Sequence, residues 1–523
     1  MNNEITGRTT DAPNSGNTTK TTFNSKSEET KQQPADTVTG NSATTTADTP
    51  PVIDVIRKKE KRIFESSGFS FIKCITKPER YTDDDLGLGY LFADTFHDCL
   101  RYVYDADKWY FFGGGSWKLD KGDVYARRCV KALVENLIKN SSKDKFKEEI
   151  SKRSTRETII KEARDISPIN LSDFDTSPYL LNCSNGTIDL RTGQFRDHDP
   201  DDFLSKKVNA VYNPEAKCER WEQFIEQIMC NDKELALYLQ KCLGYALSGD
   251  TSEECMFILY GPTTRNGKGT LMESIYNLLG DYSRTIQPDS LAQRKANGSG
   301  HSDDLARLAG IRFVNASELP NDMKLNAAIV KQMTGGDTVT ARFIYKGFFE
   351  YRPQFKIFIN TNHLPEIVDD SLFSSGRLKL IPFDRHFGDA EQELGLKKLF
   401  REDNSRSAIL NWLLEGYRRY RSDADRLALP PKAKELLTEY RKNSDAVGLY
   451  IENCLEACDT TNNIKDREKT AKLHSDFLEW YNNEDVAELS LKEFVQSLRQ
   501  KNLLARDREI GHFIKGYKIK SDK

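Results

Sequence analysis

Residues 261–270 read Gly-Pro-Thr-Thr-Arg-Asn-Gly-Lys-Gly-Thr, and this stretch decides the fold prediction. An apolar run, residues 256–260, comes directly before it, and a helical pattern of apolar side chains follows it as far as Leu279. A strand, a glycine-rich loop, a lysine and a helix in this order are typical of a phosphate-binding loop, because loop N–H groups and a helix N-terminus attract anions. The alternative is an ordinary glycine turn between a strand and a helix, but the Asn-Gly-Lys core favours a nucleotide site. The predicted nucleotide-binding residues are Gly261, Pro262, Thr263, Thr264, Arg265, Asn266, Gly267, Lys268, Gly269 and Thr270.

The loop departs from the usual spacing in two ways. One extra residue separates Gly261 from Gly267, and Gly269 stands where a serine or threonine usually follows the lysine. That hydroxyl normally binds Mg²⁺, and Thr270, one position later, is the nearest candidate in this chain. We therefore predict Thr270 as the metal ligand, although its shifted position leaves the assignment open.

Composition restricts the class of protein and its surroundings. The chain of 523 residues has a formal net charge of -3, so any DNA-binding surface must be a local patch or channel. No apolar run is long enough to cross a bilayer, and the N-terminus has no basic region followed by an apolar core. The 10 cysteines are scattered without a Cys-x-x-Cys pair, which favours reduced, mostly buried thiols over zinc ligands. We expect a cytoplasmic protein in a reducing compartment, with no membrane contact.

Changes in pattern along the chain suggest four parts, of which the first two precede the glycine-rich loop. Residues 1–52 are rich in Ser, Thr, Asn and Asp and are predicted to be a disordered tail, since they hold too little apolar surface to fold. Residues 53–250 mix helical patterns with short strands. Within them Asp105 and Asp107 could be the metal-binding carboxylates of a primase, but a turn before the next strand is favoured.

The segment after the loop carries an acid and a cation in suggestive places. An apolar strand, residues 311–316, ends in Ser317 and Glu318, and an acid at this end of a parallel strand lies beside the phosphate loop. Residues 339–351 are then predicted to form a hairpin with Lys346 at its tip. A basic hairpin tip can contact a phosphate backbone without reading its sequence.

Two further motifs make the interpretation specific. A strand at residues 355–359 runs into Asn-Thr-Asn-His-Leu-Pro, which contains Asn362, and Arg377 comes just before Leu-Lys-Leu-Ile-Pro-Phe. In this order the motifs resemble the superfamily 3 helicase core of phage and plasmid primase-helicases. The resemblance covers roughly residues 75–520 and implies an α/β fold: a P-loop, AAA+-like core at residues 251–428. It also implies an α+β pre-helicase domain at 53–250 and a winged-helix domain at 429–523.

The resemblance also implies a role for each matching residue. Lys268 corresponds to the lysine that binds phosphates, and Glu318 to the acid that polarises the attacking water. Asn362 corresponds to the polar sensor of that water, and Arg377 to the arginine finger inserted into a neighbour's site. Lys346 corresponds to the channel-lining contact with DNA. The implied cofactors are ATP and Mg²⁺.

The end of the chain has its own pattern. Ser490 and Glu493 form a predicted capping box at the start of a helix, and residues 503–520 alternate apolar and basic side chains. Helix, helix and basic hairpin in this order predict a winged helix. A protein-docking module with a solvated basic strand is the open alternative.

Taken together, the motifs predict an ATP-driven replicative DNA helicase of a phage, plasmid or similar mobile element. The resemblance implies a homo-oligomeric ring, expected to be a hexamer, around single-stranded DNA, with origin duplex and replication proteins such as a primase or an initiator as further partners. The alternatives are a DNA-binding replication initiator with a switch ATPase and a primase-helicase. A P-loop enzyme that does not act on nucleic acid, such as a kinase, is a third.

Overall fold

We describe the protein from a computed structural model, over residues 80–293, 301–317, 319–320, 323–342, 348–367, 369–461, 463–481 and 489–520. The predicted tail at residues 1–52 lies outside these ranges, as do Glu318 and Lys346. Their predicted roles therefore have no geometry to be compared with.

The first part of the described chain packs helices against a small antiparallel sheet. Asp84 caps the first helix by accepting a hydrogen bond of 2.8 Å from the Gly87 N–H. The predicted strands on either side of Gly114 form a hairpin, and that glycine has a φ of +61°. The elements are α1 Asp85–Thr95, β1 Leu100–Val103, β2 Lys108–Gly113, β3 Ser116–Leu119, α2 Val124–Asn140, α3 Asp144–Ser151 and α4 Arg153–Glu162.

A second small sheet and two helices lead from there to the phosphate-loop segment. The sheet is an antiparallel meander, and the first of the two helices buries an apolar stripe made of Trp221, Phe224, Ile225 and Ile228. The elements are β4 Leu180–Asn182, β5 Thr187–Asp189, β6 Gln194–Arg196, α5 Glu219–Ile228 and α6 Lys233–Tyr245.

The central segment forms one parallel sheet that carries the loop. Its inner strands are largely apolar and buried, as expected for a parallel sheet that is covered on both faces, whereas the edge strand at residues 283–285 is polar. The elements are β7 Met256–Tyr260, α7 Lys268–Leu279, β8 Ser283–Thr285, α8 His301–Ala306, β9 Phe313–Ser317, α9 Ala327–Thr334, β10 Val339–Arg342, β11 Phe348–Tyr351, β12 Lys356–Thr361, α10 Ser371–Ser374 and β13 Leu378–Pro382. The sheet order is β13-β7-β12-β9-β8, and β10 and β11 pair separately as the predicted hairpin. The predicted α/β fold class is confirmed.

Two buried cations join the sheet to the preceding part of the chain. At the start of β9, Arg312 donates hydrogen bonds of 2.6 Å to the Leu247 carbonyl and 2.7 Å to the Leu180 carbonyl. At the start of β12, Lys356 donates one of 2.9 Å to the Asp250 carbonyl. Burial lowers the pKa of both side chains, and main-chain carbonyl dipoles compensate part of the cost of burying the charges. These contacts hold the edge of the sheet that lies opposite to the loop.

Three helices follow the sheet: the first packs against α7, the second against α6, and the third against β13. They are α11 Leu396–Leu399, α12 Asp403–Ser422 and α13 Pro431–Ser444. Helix α12 crosses α6 closely at Gly244 and Gly416, where a Cβ on either glycine would collide with the backbone of the other helix.

The end of the chain forms a compact group of helices and short strands. The capping box is confirmed, since Ser490 and Glu493 each accept a hydrogen bond from the other's backbone N–H. The elements are α14 Ala446–Cys454, β14 Leu455–Ala457, α15 Thr470–Tyr481, α16 Leu491–Gln500, β15 Leu504–Asp507, β16 Gly511–Ile514 and β17 Tyr517–Ile519. The predicted hairpin is β15–β16, and a second pair, β14–β17, was not predicted.

The cysteines and the helix lengths can be examined over all the described residues. Its cysteines are all free thiols, and most are buried, as predicted. Within the same ranges, no helix combines the length and the apolar content that a bilayer crossing requires.

Candidate functional site

The glycine-rich loop joins the end of β7 to the start of α7. Helix α7 begins at Lys268 itself, three residues before the first apolar position of the predicted pattern. Gly267 precedes it with a φ of +85°, and a Cβ at this position would overlap the side chain of Ile228 on α5. Glycine is therefore required here both for the backbone conformation and for the space.

Lys268 is the central side chain of the site. It is only 3% exposed, and its Nζ donates hydrogen bonds of 2.8 Å to Asn362 Oδ1 and 3.1 Å to the Gly261 carbonyl. Burial lowers the pKa of Lys268 to about 8. No carboxylate in the described part of the chain forms an ion pair with it. A buried ammonium group held only by neutral oxygens is suited to bind an anion.

The backbone of the loop has the polarity that an anion needs. Its carbonyl oxygens accept hydrogen bonds from within the protein, and in the described ranges no acceptor takes the N–H groups of residues 263–267. The carbonyls that accept are those of Gly261, Thr263, Thr264, Arg265 and Gly267. With the N-terminus of α7, these N–H groups fit the phosphate groups of a nucleotide.

The neighbouring strand ends meet the loop at one edge of the sheet. Asn362 follows β12, and the turn beyond it is fixed by a hydrogen bond of 2.6 Å from Thr361 Oγ1 to the His363 carbonyl. The His363 side chain is exposed in that turn. On the other side, Ser317 ends β9 and lies opposite Asn360 of β12. Because β12 pairs with β7, the structure brings Lys268 and Asn362 together at this edge.

Arg377 does not lie near the loop. It lies at the other end of the strands, where β7 begins. Its carbonyl accepts a hydrogen bond from the Met256 N–H, at the start of β7 rather than at its end. Its guanidinium contacts Glu254 Oε2 at 2.6 Å and donates 2.8 Å to Thr334 Oγ1. The whole length of β7 separates it from Gly261 and from Lys268 in the same chain.

Thr270 lies in the first turn of α7 and is partly exposed. The adjoining Gly269 is exposed, and a Cβ on it would have no neighbour within 4 Å, so there is room at this end of the helix. Mg²⁺ usually keeps several waters and takes few protein ligands when it is held with phosphates. A threonine hydroxyl beside the loop is compatible with that role, and Thr270 stays a predicted ligand.

The acidic pair considered for a primase is engaged in a turn. Asp105 Oδ1 accepts a hydrogen bond of 3.0 Å from the Leu171 N–H, and Asp107 accepts one from the Tyr102 hydroxyl. Within the described ranges, no group of three or more His, Cys, Asp or Glu side chains could hold a metal ion. These contacts agree with the turn that the sequence favours.

One segment near the loop was not singled out from the sequence. Residues 384–389, here called the strap, follow β13 and run along the loop, where His386 Nδ1 lies 2.9 Å from the Thr264 carbonyl. The strap has no apolar period or glycine pattern that would indicate this position. The only signal is that it directly follows the strand next to β7.

Two protein families match separate parts of the chain. Residues 89–230 match the family described as "D5 N terminal like", and residues 259–377 match a "Family of unknown function (DUF5906)". The second match begins just before the loop and ends at Arg377. The first lies entirely in the part of the chain that the resemblance assigns to a pre-helicase domain.

Similar proteins come from several viruses. A "Putative helicase" of Acanthamoeba polyphaga mimivirus is 32% identical over 379 residues, which cover 68% of this chain and 37% of that protein. One of Invertebrate iridescent virus 3 is 23% identical over 523 aligned residues, covering 84% of this chain and 55% of that protein. One of Sputnik virophage is 27% identical over 245 residues, covering 43% of this chain and 30% of that protein. This chain therefore spans between 30% and 55% of these relatives.

Among solved structures, the apo C-terminal region of NrS-1 aligns with 83% of this chain and 100% of its own, at 10% identity and a TM-score of 0.44. The family match at residues 89–230 and the mimivirus relative, at 32% identity, are the more informative comparisons. The resemblance inferred from the motifs is confirmed: residues 89–230 match the D5 N terminal like family, and the chain is similar to viral proteins named "Putative helicase".

Proposed function

We propose that this chain is an ATP-driven DNA helicase of a viral or other mobile replication system, working as a ring. The observation that carries the proposal is the buried Lys268 ammonium, held by Asn362 and by the Gly261 carbonyl below a loop whose N–H groups are unused. A site of this polarity, at the carboxyl edge of a parallel sheet, fits a nucleoside triphosphate.

Each predicted site residue then has a defined role in hydrolysis. Lys268 neutralises the outer phosphates, and Asn362, which now accepts from Lys268, helps to orient the attacking water. Glu318, directly after the end of β9, polarises that water. Thr270 would hold part of the coordination of a Mg²⁺ ion, which would supply further neutralisation of the phosphate charge.

The position of Arg377 supports a ring. In a five-residue strand the ends lie about 13 Å apart, which is farther than an arginine side chain extends. Arg377 therefore lies too far from the phosphate loop of its own subunit. From the end of the sheet opposite to the loop it can instead complete the site of an adjacent copy, and head-to-tail contacts of this kind form a ring when their rotation closes. We propose six subunits.

The hairpin β10–β11 supports the contact with DNA. It follows α9 and leads directly into β12, the strand that ends at Asn362. Movements at the nucleotide can therefore reach the hairpin tip through little intervening chain. Lys346 at that tip would contact the backbone of single-stranded DNA in the channel.

The remaining partners follow from the same role. Replication of a mobile element requires origin duplex and other replication proteins, such as a primase or an initiator. The free, mostly buried thiols are compatible with the reducing cytoplasm expected from the sequence.

ATP hydrolysis with and without single-stranded DNA tests this function. We expect slow basal hydrolysis that single-stranded DNA stimulates several-fold, with a strong dependence on salt. Hydrolysis indifferent to DNA would instead favour a switch ATPase or a phosphotransferase. Absence of hydrolysis in the presence of DNA and Mg²⁺ would contradict the nucleotide site itself.

A further inference from the structure

The strap engages the phosphate loop at two consecutive peptide groups. His386 Nδ1 donates to the Thr264 carbonyl at 2.9 Å, and the Phe387 N–H donates to the Arg265 carbonyl at 2.8 Å. Asp389 forms an ion pair with the Arg265 side chain. The loop therefore receives its outer contacts from a segment more than a hundred residues farther along the chain.

These two carbonyl contacts also fix the direction of two N–H groups. In a trans peptide, the C=O and the N–H of the same plane point in opposite directions. Holding the Thr264 carbonyl against the strap turns the Arg265 N–H away from it, and holding the Arg265 carbonyl does the same for the Asn266 N–H. The strap thereby directs donors to the side of the loop that is free for phosphate.

The strap is itself tied to the surrounding helices. Asp384 pairs with Lys432 of α13 at 2.6 Å, and the Arg385 guanidinium lies 4.8 Å from the centroid of the Phe387 ring. Just beyond the strap, Glu393 pairs with Arg220 of α5 at 2.8 Å. Because Asp384 anchors its start and Glu393 anchors the chain just beyond its end, the strap can hold the loop in one conformation before any ligand binds.

We propose that the strap positions the phosphate loop for nucleotide binding, with His386 and Asp389 as its positioning residues. This inference rests on the proposed function, because it concerns how the same ATP site is held ready. A neutral His386 with a proton on Nδ1 and a protonated His386 both donate from Nδ1, so the contact persists in either state. An organised loop avoids an ordering cost at the moment of binding, which appears as affinity.

The size of the effect follows from the exposure of the contacts. Asp389 is 86% exposed and Arg265 50%, and an exposed ion pair or a single hydrogen bond contributes little. Each single change should therefore weaken ATP binding about threefold to tenfold. Together the two changes should weaken it about tenfold to a hundredfold if they act independently.

Matched variants of the full chain separate positioning from stability. His386→Gln places its N–H donor near the position of Nε2, whereas His386→Asn keeps a donor near that of Nδ1. Asp389→Asn removes the ion pair between the strap and Arg265 of the loop. Asp403→Asn is its control, since Asp403 is 87% exposed and pairs with Arg406 away from the loop.

The measurements are the Kd for a fluorescent ATP analogue with Mg²⁺ and the KM and kcat of hydrolysis. We expect His386→Gln and Asp389→Asn to raise Kd and KM while kcat at saturating ATP stays within about twofold. His386→Asn and Asp403→Asn should behave like the unaltered chain.

Equal affinities in His386→Gln and His386→Asn, or an unchanged Kd in Asp389→Asn, would overturn the role of the strap while leaving the ATP site standing. A lower kcat at unchanged KM would also overturn it, since that is a loss of active protein. If the unaltered chain does not bind the analogue, the proposed function fails and the strap's role with it.

Discussion

Arg377 offers the sharpest test of how the subunits cooperate. It precedes β13 at the sheet edge opposite to the phosphate loop, where Glu254 and Thr334 hold its guanidinium. If it acts in a neighbour's site, then Arg377→Ala and Lys268→Ala damage different halves of the same interface. Each variant alone should be nearly inactive, because removing an arginine finger costs about 10³-fold or more in kcat.

Mixing the two variants should restore part of the activity. In a ring assembled from equal amounts, about one interface in four combines an intact Lys268 with an intact Arg377, whatever the number of subunits. We therefore expect about a quarter of the unaltered hydrolysis rate. The pair to Glu254, which is 50% exposed, contributes no more than about 1 kcal/mol, but the variant also loses the hydrogen bond to Thr334 Oγ1, so its folding is checked by thermal unfolding.

The assay is DNA-stimulated ATP hydrolysis across a series of mixing ratios, after subunit exchange has been shown by fluorescence energy transfer between labelled chains. Activity should be greatest near equal amounts and should fall to the level of the single variants at either end. No recovery despite exchange would refute the reasoning and would leave Arg377 as a residue that acts only within its own subunit.

Three other substitutions test separate parts of the proposal. Glu318→Gln should bind ATP with near-normal affinity but hydrolyse it at least about 100-fold more slowly, because the water loses its polarising carboxylate; loss of binding in a nucleotide titration would indicate a structural role. Thr270→Ala should raise the Mg²⁺ concentration needed for half-maximal hydrolysis several-fold, and an unchanged Mg²⁺ titration would place the ligand elsewhere. Lys346→Ala should keep basal hydrolysis but lose DNA stimulation and unwinding, with a shallower salt dependence of single-strand binding, whereas normal unwinding would make it an ordinary turn residue.

The core of the site could be predicted because local rules determine it. Strand β7, the glycine loop and α7 follow one another without interruption, so chain connectivity alone places Lys268 at the carboxyl edge of a parallel sheet. Asn362 could be added because it follows another apolar strand. The start of α7 was missed by three residues, since its first turn is Lys-Gly-Thr and carries no apolar period.

The contacts that cross between distant parts of the chain could not be predicted. Arg377 and Glu254 are 123 positions apart, and His386 and Thr264 are 122 apart, so no periodic pattern links them. Arg312 is charged but almost wholly buried, and its guanidinium is held there by carbonyls far away in the sequence, among them those of Leu247 and Leu180. The position of Arg312 also depends on the Tyr282 ring, 4.5 Å from its guanidinium, and on carbonyls of two segments, so it is decided by tertiary packing, which one sequence does not show.

The most direct test of the central claim is strand displacement on a forked DNA duplex with ATP and Mg²⁺. We predict that the unaltered chain releases the labelled strand only when ATP can be hydrolysed, and that Lys268→Ala, which loses the buried cation of the loop, releases none. Equal displacement by the two chains would contradict the claim that the chain is an ATP-driven helicase. The same holds if the unaltered chain hydrolyses ATP in response to DNA but displaces no strand.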